Sequence, residues 1–302
     1  MIISLIFVAQ RLYSTAGGEG GIDFSLLTSP WVIGGLLFVA TAEGLGIMAA
    51  GLNFRALVAN VSGVVVTKVL ALKVYTESNV YKYIPGGVMY VAGRNRLAVE
   101  VEALQHSKIL VATVLEGVCM VVGVIVVAAI FARSHAISLI RYLDILPIAI
   151  LILGLVVLVA APIVYLLRHR IGGGLKKLTS NMQTISWPII AKRQGFSIIL
   201  MFLYSVTFLM TLTLMGQTMT PSLGFAIIGL YLLAWLAGFI TPGAPSGLGI
   251  REAVMVMFLT GFVYDDILVA AMVMHRVLTV LGDVMAFLAA WAISKFFQPK
   301  KA

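Results

Sequence analysis

The sequence predicts an all-α fold: a polytopic bundle of about seven or eight transmembrane helices, with two inverted re-entrant or broken helices at Pro-Gly motifs. Three observations predict it. Of 302 residues, 61% are hydrophobic and only 11% charged, and the mean hydropathy is +1.07. A soluble domain carries roughly 25% charged residues, so a soluble fold of this size could not coat its surface with polar groups. Apolar runs of span length recur along the chain, and its basic residues gather in a few places. A typical soluble enzyme, a disordered regulator and a disulfide-stapled secreted module are excluded. Residues 1–302 read as one integral membrane domain.

A span needs about 20 apolar residues to cross roughly 30 Å of hydrocarbon. Clear candidates lie at Trp31–Leu52, Ile109–Phe131, Ile145–Leu167, Phe196–Met215, Leu223–Ile240 and Ile267–Trp291. Two further runs are short or interrupted: Ala56–Leu72 with Tyr83–Ala92, and Ile250–Val263. The opening stretch Met1–Ala9 is too short to span. Without a basic n-region or a cleavage site it is not read as a signal peptide. It is either a remnant of a first helix or preceded by further sequence.

Charge placement orients these spans. Net charge is +9, and in a membrane protein such an excess marks cytoplasmic loops facing anionic headgroups. The loop 168–193 holds Arg168, Arg170, Lys176, Lys177, Lys192 and Arg193 and no acid. The tail adds Lys295, Lys300 and Lys301. Both belong on the cytoplasmic side, whereas Glu19, Asp23, Asp265 and Asp266 sit in connections poor in Lys and Arg and belong outside. Within the basic loop, Leu175–Ile190 reads equally as an amphipathic interfacial segment or a solvated connection.

Two segments break the pattern of simple spans. One reads YKYIPGGVMYVAGRNR from Tyr81 to Arg96, the other FITPGAPSGLGIRE from Phe239 to Glu252. Pro85 precedes Arg94 by nine positions, and Pro242 precedes Arg251 by nine. A glycine lies just before each arginine, Gly93 one position and Gly249 two positions ahead. Backbone this rich in Gly and Pro does not hold a continuous helix, and at membrane depth it survives only when buried in protein or lining a cavity. The assigned orientation sends the first segment inward and the second outward, the signature of inverted repeats, here about 31–131 and 196–297. Pro85, Gly86, Gly93, Pro242, Gly243, Gly247 and Gly249 would shape re-entrant backbone. Free amides at a half-helix N-terminus beside an arginine favour an anion, which singles out Arg251 with Glu252. The plainer alternative has Arg251 snorkelling to headgroups, and Arg94 and Arg96 serving as positive-inside anchors.

Ionisable groups also fall inside spans: Glu43, Glu116, His275, Arg276 and Asp283. Such groups cost about 2.5–3.5 kcal/mol each at a helix centre, so they face partners or a wet cavity. Arg276 and Asp283, seven apart, share a helix face two turns apart and each needs a partner on another helix. Glu116 with Arg276, and Glu43 with Lys68, are the candidate pairs. Structural salt bridges and a polar path for a headgroup or a proton both remain open readings. His275 is either a titrating group or a hydrogen-bonded packing residue.

Cys119 is the only cysteine, which precludes an intrachain disulfide, and its apolar run makes it a small buried hydrophobe. His106, His135 and His169 are scattered, and no metal or cofactor is expected. No Walker loop, H-E-x-x-H or dinucleotide fingerprint occurs, and Ser246 lacks a nucleophile-elbow setting. No soluble catalytic domain fits in the chain.

At the two broken segments the sequence resembles the flippase-like integral membrane family, also described as the lysylphosphatidylglycerol synthase transmembrane region. Tyr83-Ile84-Pro85-Gly86 followed by Gly93-Arg94 resembles its first signature. The stretch from Pro242-Gly243 to Gly249-Ile250-Arg251-Glu252 is similar to its second, a PGG-x-G-x-R-E pattern, which Ala244-Pro245 and Ser246 vary here. Glu116 and Arg276 also fall where the family tends to carry an acid and an arginine. The resemblance runs from about Trp31 onward, while the family's fuller first helix is not matched at Met1.

It implies a helical bundle with re-entrant helices that moves an anionic phospholipid or lipid-linked glycan across the cytoplasmic (inner) membrane. No aminoacyl-transfer domain accompanies it, so the synthase activity is not implied. On this expectation Arg94, Arg251 and Arg276 attract the phosphate, and Glu116 and Glu252 orient the arginines. The alternatives are a non-transporting accessory subunit for a glycosyltransferase or lipid synthase, and an intramembrane transferase. A homo-oligomer is compatible with each.

Overall fold

A computed structural model describes residues 28–83, 89–132, 186–241, 245–247 and 249–297. Helices make up nearly all of it, in the order α1 (Pro30–Ser62), α2 (Lys68–Val80), α3 (Met89–Arg94), α4 (Arg96–Glu100), α5 (His106–Phe131), α6 (Trp187–Leu214), α7 (Pro221–Ile240), α8 (Ile250–Leu259) and α9 (Asp265–Phe297). Two short turns, Tyr81–Tyr83 and Pro245–Gly247, follow α2 and precede α8. The predicted span Ile145–Leu167 lies outside the described residues, as do Pro85, Gly86, Pro242 and Gly243.

Among the described residues five helices, α1, α5, α6, α7 and α9, are long and apolar enough to cross a membrane. Their polarity is arranged for that solvent. On α5 the outward stripe Leu110, Val114, Val118, Val122 and Ile125 is exposed, while Glu116, Thr113 and Cys119 are buried. Exposing the apolar face and burying the polar one would be unfavourable in water and is favourable in hydrocarbon.

Helix ends follow local chemistry more closely than hydropathy does. Pro at the first helical position starts α1, and Gly63 (φ 74°) ends it, its N–H bonded to the Ala59 carbonyl. The apolar run stops at Leu52 because Asn53 and Arg55 follow, yet the backbone continues as helix to Ser62. Arg55 Nε donates to the Val66 carbonyl and anchors the connection to α2. A second difference concerns the basic loop expected at 168–193. Residues from Trp187 onward, Lys192 and Arg193 included, already belong to the 28-residue α6, again with proline near its start.

Apolar side chains collect in two principal cores. One joins α1, α2, α4 and α5 through Phe54, Leu57, Val74, Leu97 and Ile109. The other joins α6 to α9 through Phe208, Ile227, Leu232, Met255 and Leu268, with the end of α5. A smaller cluster of Val32, Leu36, Val39, Ala40 and Leu278 ties α1 to α9.

At the α1–α9 crossing the two backbones come into close contact. A Cβ built on Gly282 would stand 2.7 Å from Glu43 Cβ and 2.8 Å from the Ala40 carbonyl oxygen. One built on Gly44 would stand 2.9 Å from the Gly282 carbonyl oxygen. Small residues let the two backbones approach, as at other intramembrane helix interfaces. Gly282→Ala should therefore cost about 1–3 kcal/mol through overpacking. Gly46→Ala, where a Cβ meets nothing within 4 Å, should gain roughly 0.5–1 kcal/mol of helix propensity. Thermal unfolding of the two variants in detergent reads the opposite signs directly.

Candidate functional site

On either side of each Pro-Gly motif the described elements pack back along one another. Gly93 lies against Ser78 and Tyr81, Arg94 stacks on Tyr75 and Arg96 pairs with Glu77, so α3 returns along α2 as a helical hairpin. A Cβ on Gly93 would come within 2.7 Å of the Tyr81 ring, which is why glycine stands before that arginine. In the second segment Gly247 sits against Gly238 and Arg251 against Tyr231, so α8 returns along α7. Here the chain passes through the left-handed region at Ser246 (φ 53°), Gly247 (φ 70°) and Gly249 (φ 82°). A Cβ on Gly247 would meet Gly238 Cα at 2.9 Å. The two turns, Tyr81–Tyr83 and Pro245–Gly247, pack against each other.

Each hairpin buries its arginine, but the charges are matched differently. Arg94 is 5% exposed and lies over the rings of Tyr75, Phe54 and Tyr90, with centroids 4.5, 4.8 and 5.2 Å away. Its Nη1 donates to Glu116 Oε2, and Glu116 Oε1 accepts from the Tyr75 hydroxyl at 2.8 Å. Cation and anion cancel in a sealed apolar pocket.

Arg251, 7% exposed, lies over Tyr231 at 4.4 Å and Tyr204 at 5.8 Å. It donates to the hydroxyls of both tyrosines. No carboxylate lies within ion-pair distance of it among the described residues. Where Glu116 stands beside Arg94, His275 stands beside Arg251. The tyrosine precedes the arginine by 19 positions in the first hairpin and 20 in the second.

Hydrogen bonds reach both ring nitrogens of His275. Arg251 can only donate, so the Tyr231 oxygen accepts from it, and one arrangement sends the hydroxyl hydrogen to His275 Nε2, 2.8 Å away. Nδ1–H then donates to Thr211 Oγ1 at 3.2 Å, and Thr211 donates to the Thr207 carbonyl. The ring is neutral in this arrangement. Glu43 Oε1 lies 3.9 Å from the same Nε2 and contacts the Thr207 hydroxyl.

Helix α9 holds both turns. Arg276 Nη1 donates to the Ser246 carbonyl at 3.0 Å and to its hydroxyl at 3.3 Å. Arg276 Nη2 lies 3.2 Å from Glu252 Oε1, without the geometry of a hydrogen bond, and Nε is buried with no partner among the described residues. Glu252 Oε2 meanwhile accepts from the Gly249 N–H at 2.8 Å and caps α8. Two turns further along, the buried Asp283 accepts from Asn79 at 2.8 Å and from Tyr83, and pairs with Lys82 at 2.7 Å.

A narrow cleft is lined by Phe208, Arg251, Glu252, Met255, Met272, His275 and Arg276. It presents two guanidiniums against one carboxylate, beside the N-terminus of α8, which favours negative charge. No group of three or more His, Cys, Asp or Glu side chains that could hold a metal occurs among the described residues.

Of the residues singled out in the sequence, Arg251, Glu252, His275 and Arg276 come together here, with Glu43 beside His275. Arg94 and Glu116 form the separate sealed pair, and Asp283 fastens the first turn. The candidate pairs are corrected: Glu116 meets Arg94, Arg276 meets Glu252, and Glu43 faces Thr207 and His275 while Lys68 is exposed. Snorkelling is corrected too, since Arg251 and Arg94 turn inward. Arg96 alone of the three reaches the surface, held by Glu77 and Glu100. Sequence reasoning passed over Tyr75, Tyr231, Tyr204, Thr207, Asn79 and Lys82. The matched tyrosine-to-arginine spacing was the available signal for the first two.

No protein-family model matches the chain, and no curated protein matches it.

Breaking the sealed pair should be costly. Glu116→Ala leaves the Arg94 charge buried and unpaired, a loss of about 3–5 kcal/mol. The double change Arg94→Met with Glu116→Leu should lose far less than the sum of its parts, as denaturation of the four proteins of the cycle would show.

Proposed function

We propose that the protein translocates an anionic lipid, or a lipid-linked headgroup, between the leaflets of a cytoplasmic membrane. One observation carries this reading: two buried guanidiniums face a single carboxylate in a cleft at a helix break, inside a bundle whose outer faces are apolar. An uncompensated cation inside hydrocarbon is expensive, and an anionic headgroup is the partner a bilayer supplies. Arg251 and Arg276 bind the phosphate, Glu252 positions Arg276, and the two hairpins serve as re-entrant elements of an inverted repeat. The resemblance of both Pro-Gly segments to the flippase-like family supports the same reading. Arg94, whose charge Glu116 already cancels, serves to fasten the first hairpin.

In this reading residues 168–193 and the Lys-rich tail face the cytoplasm, and the connection at Tyr264–Asp266 faces outward. Cysteines introduced at Lys177 and Tyr264 in a Cys119→Ser background check this. An impermeant maleimide should label Tyr264→Cys in intact cells and Lys177→Cys only after permeabilisation, and the reverse pattern would refute the orientation.

Translocation itself is followed with a headgroup-labelled anionic lipid in vesicles containing the purified protein. Arg251→Ala and Arg276→Ala should each slow exposure of the label by about tenfold or more, the worth of a charge-assisted hydrogen bond. Arg94→Met paired with Glu116→Leu should keep most of the rate. Unchanged flipping in both alanine variants would sink the site assignment.

A further inference from the structure

Thr207 has one hydroxyl hydrogen and two neighbours that need it. Its Oγ1 lies 2.6 Å from the Tyr204 carbonyl oxygen and in hydrogen-bond contact with Glu43 Oε1. A hydroxyl carries one hydrogen, so two full hydrogen bonds at this oxygen come in two arrangements. Either Glu43 is a carboxylate that accepts from Thr207, and the Tyr204 carbonyl goes without that donor. Or Thr207 donates to Tyr204, and a protonated Glu43 donates its own O–H to Thr207. Switching between them moves hydrogens and no heavy atom. The site is packed to accept a proton or to do without one.

Position links this proton site to the cleft. His275 Nε2 lies 3.9 Å from Glu43 Oε1 and 2.8 Å from the Tyr231 hydroxyl that Arg251 donates to. One ring nitrogen thus faces both Glu43 and the hydroxyl that contacts the arginine lacking a carboxylate.

We propose that Glu43 and His275 form a proton-binding pair whose occupancy is linked to that of the anion site at Arg251 and Arg276. The proposal rests on the anion reading above and adds the ion that travels with it. With the cleft empty, the Glu43 carboxylate is the counter-charge that Arg251 senses through Tyr231 and His275. When an anion settles on the guanidiniums, two negative charges oppose each other across an apolar interior, where such repulsion is screened poorly. One proton from water resolves this by binding at Glu43 Oε1 or His275 Nε2, and it leaves when the anion does. If His275 takes it, the Tyr231 oxygen accepts from both Nε2–H and Arg251 and its own hydrogen turns away.

Every element around the pair contributes to its field. Thr207, Tyr204 and Thr211 face it from α6, Tyr231 from α7, and Arg251 and Glu252 from α8. Arg276 and Asp283 lie on α9 itself, and Lys82 and Tyr83 reach Asp283 from the first turn. Lys82 and Asp283 neutralise one another, so the balance is set by the two arginines, Glu252 and the arriving anion.

Linkage fixes the sign. If binding an anion takes up a proton, affinity falls as pH rises, by up to tenfold per pH unit for one proton. The test uses the purified full chain in weakly buffered detergent with a pH-indicator dye. The probes are short-chain phosphatidylglycerol in one arm and inorganic phosphate in the other. Wild-type protein should take up as much as one proton per site on saturation and bind more weakly at higher pH. Glu43→Gln, the mimic of the protonated carboxyl, should bind with a flat profile near the low-pH affinity and take up nothing. Uptake with phosphatidylglycerol alone identifies a lipid headgroup as the anion, and uptake with phosphate alone a free ion; either supports the linkage. Binding without uptake and with a flat wild-type profile overturns the linkage while leaving the anion site standing. Uptake that persists in a folded Glu43→Gln protein also overturns it. No binding of either probe overturns both readings together.

Discussion

A charge buried in an apolar bundle has to be answered by another group, because water is not there to answer it. The placement of these answers organises the molecule. Helix α9 carries a base and an acid two turns apart, and each grips a different hairpin: Arg276 holds the turn at Ser246, and Asp283 holds the turn that ends at Tyr83. The two turns touch because one continuous helix grips both. The glycine crossing of α1 on α9 seats that helix, and the cleft opens beside the grip at Arg276. Loss of continuity in α9 would release both hairpins at once.

Within this frame the two hairpins share a plan and differ in one chemical substitution. Each places an arginine on the face of a tyrosine from the preceding helix, and each brings a polar residue from the next long helix to the same spot. In the first that residue is Glu116, which completes a neutral, closed unit. In the second it is His275, which supplies an imidazole ring in place of a carboxylate. The first hairpin is therefore a fastening, and the second keeps an unanswered cation facing a cleft.

Much of this was legible in the sequence, for physical reasons that also mark its limits. The spans at α5 and α7 follow from apolar run length, and the breaks follow from glycine and proline, whose backbone demands do not depend on context. Arg251, Glu252 and Arg276 stood out because charge among apolar residues is conspicuous. The pairings were not legible. Glu116 and Arg94 are 22 positions apart and Asp283 and Asn79 more than 200, and nothing local states which helices adjoin. Run length also misjudged α1, because one asparagine and one arginine interrupt hydropathy without interrupting a helix. Tyr75 and Tyr231 escaped notice because an aromatic in a span reads as packing until its distance from the break is compared with its counterpart's.

The short helix α8 has a consequence for how the chain is made. Ten residues rise only about 15 Å, half of what a bilayer requires, and the first three positions after Gly249 include both an arginine and a glutamate. Such a segment cannot partition into lipid on its own merits as it leaves the insertion machinery. Its acceptable environment is created by Tyr231 before it and by His275 and Arg276 after it. Synthesis therefore has to deliver α9 before α8 can take its place, so the residues that form the cleft enter the bilayer as one late, cooperative step.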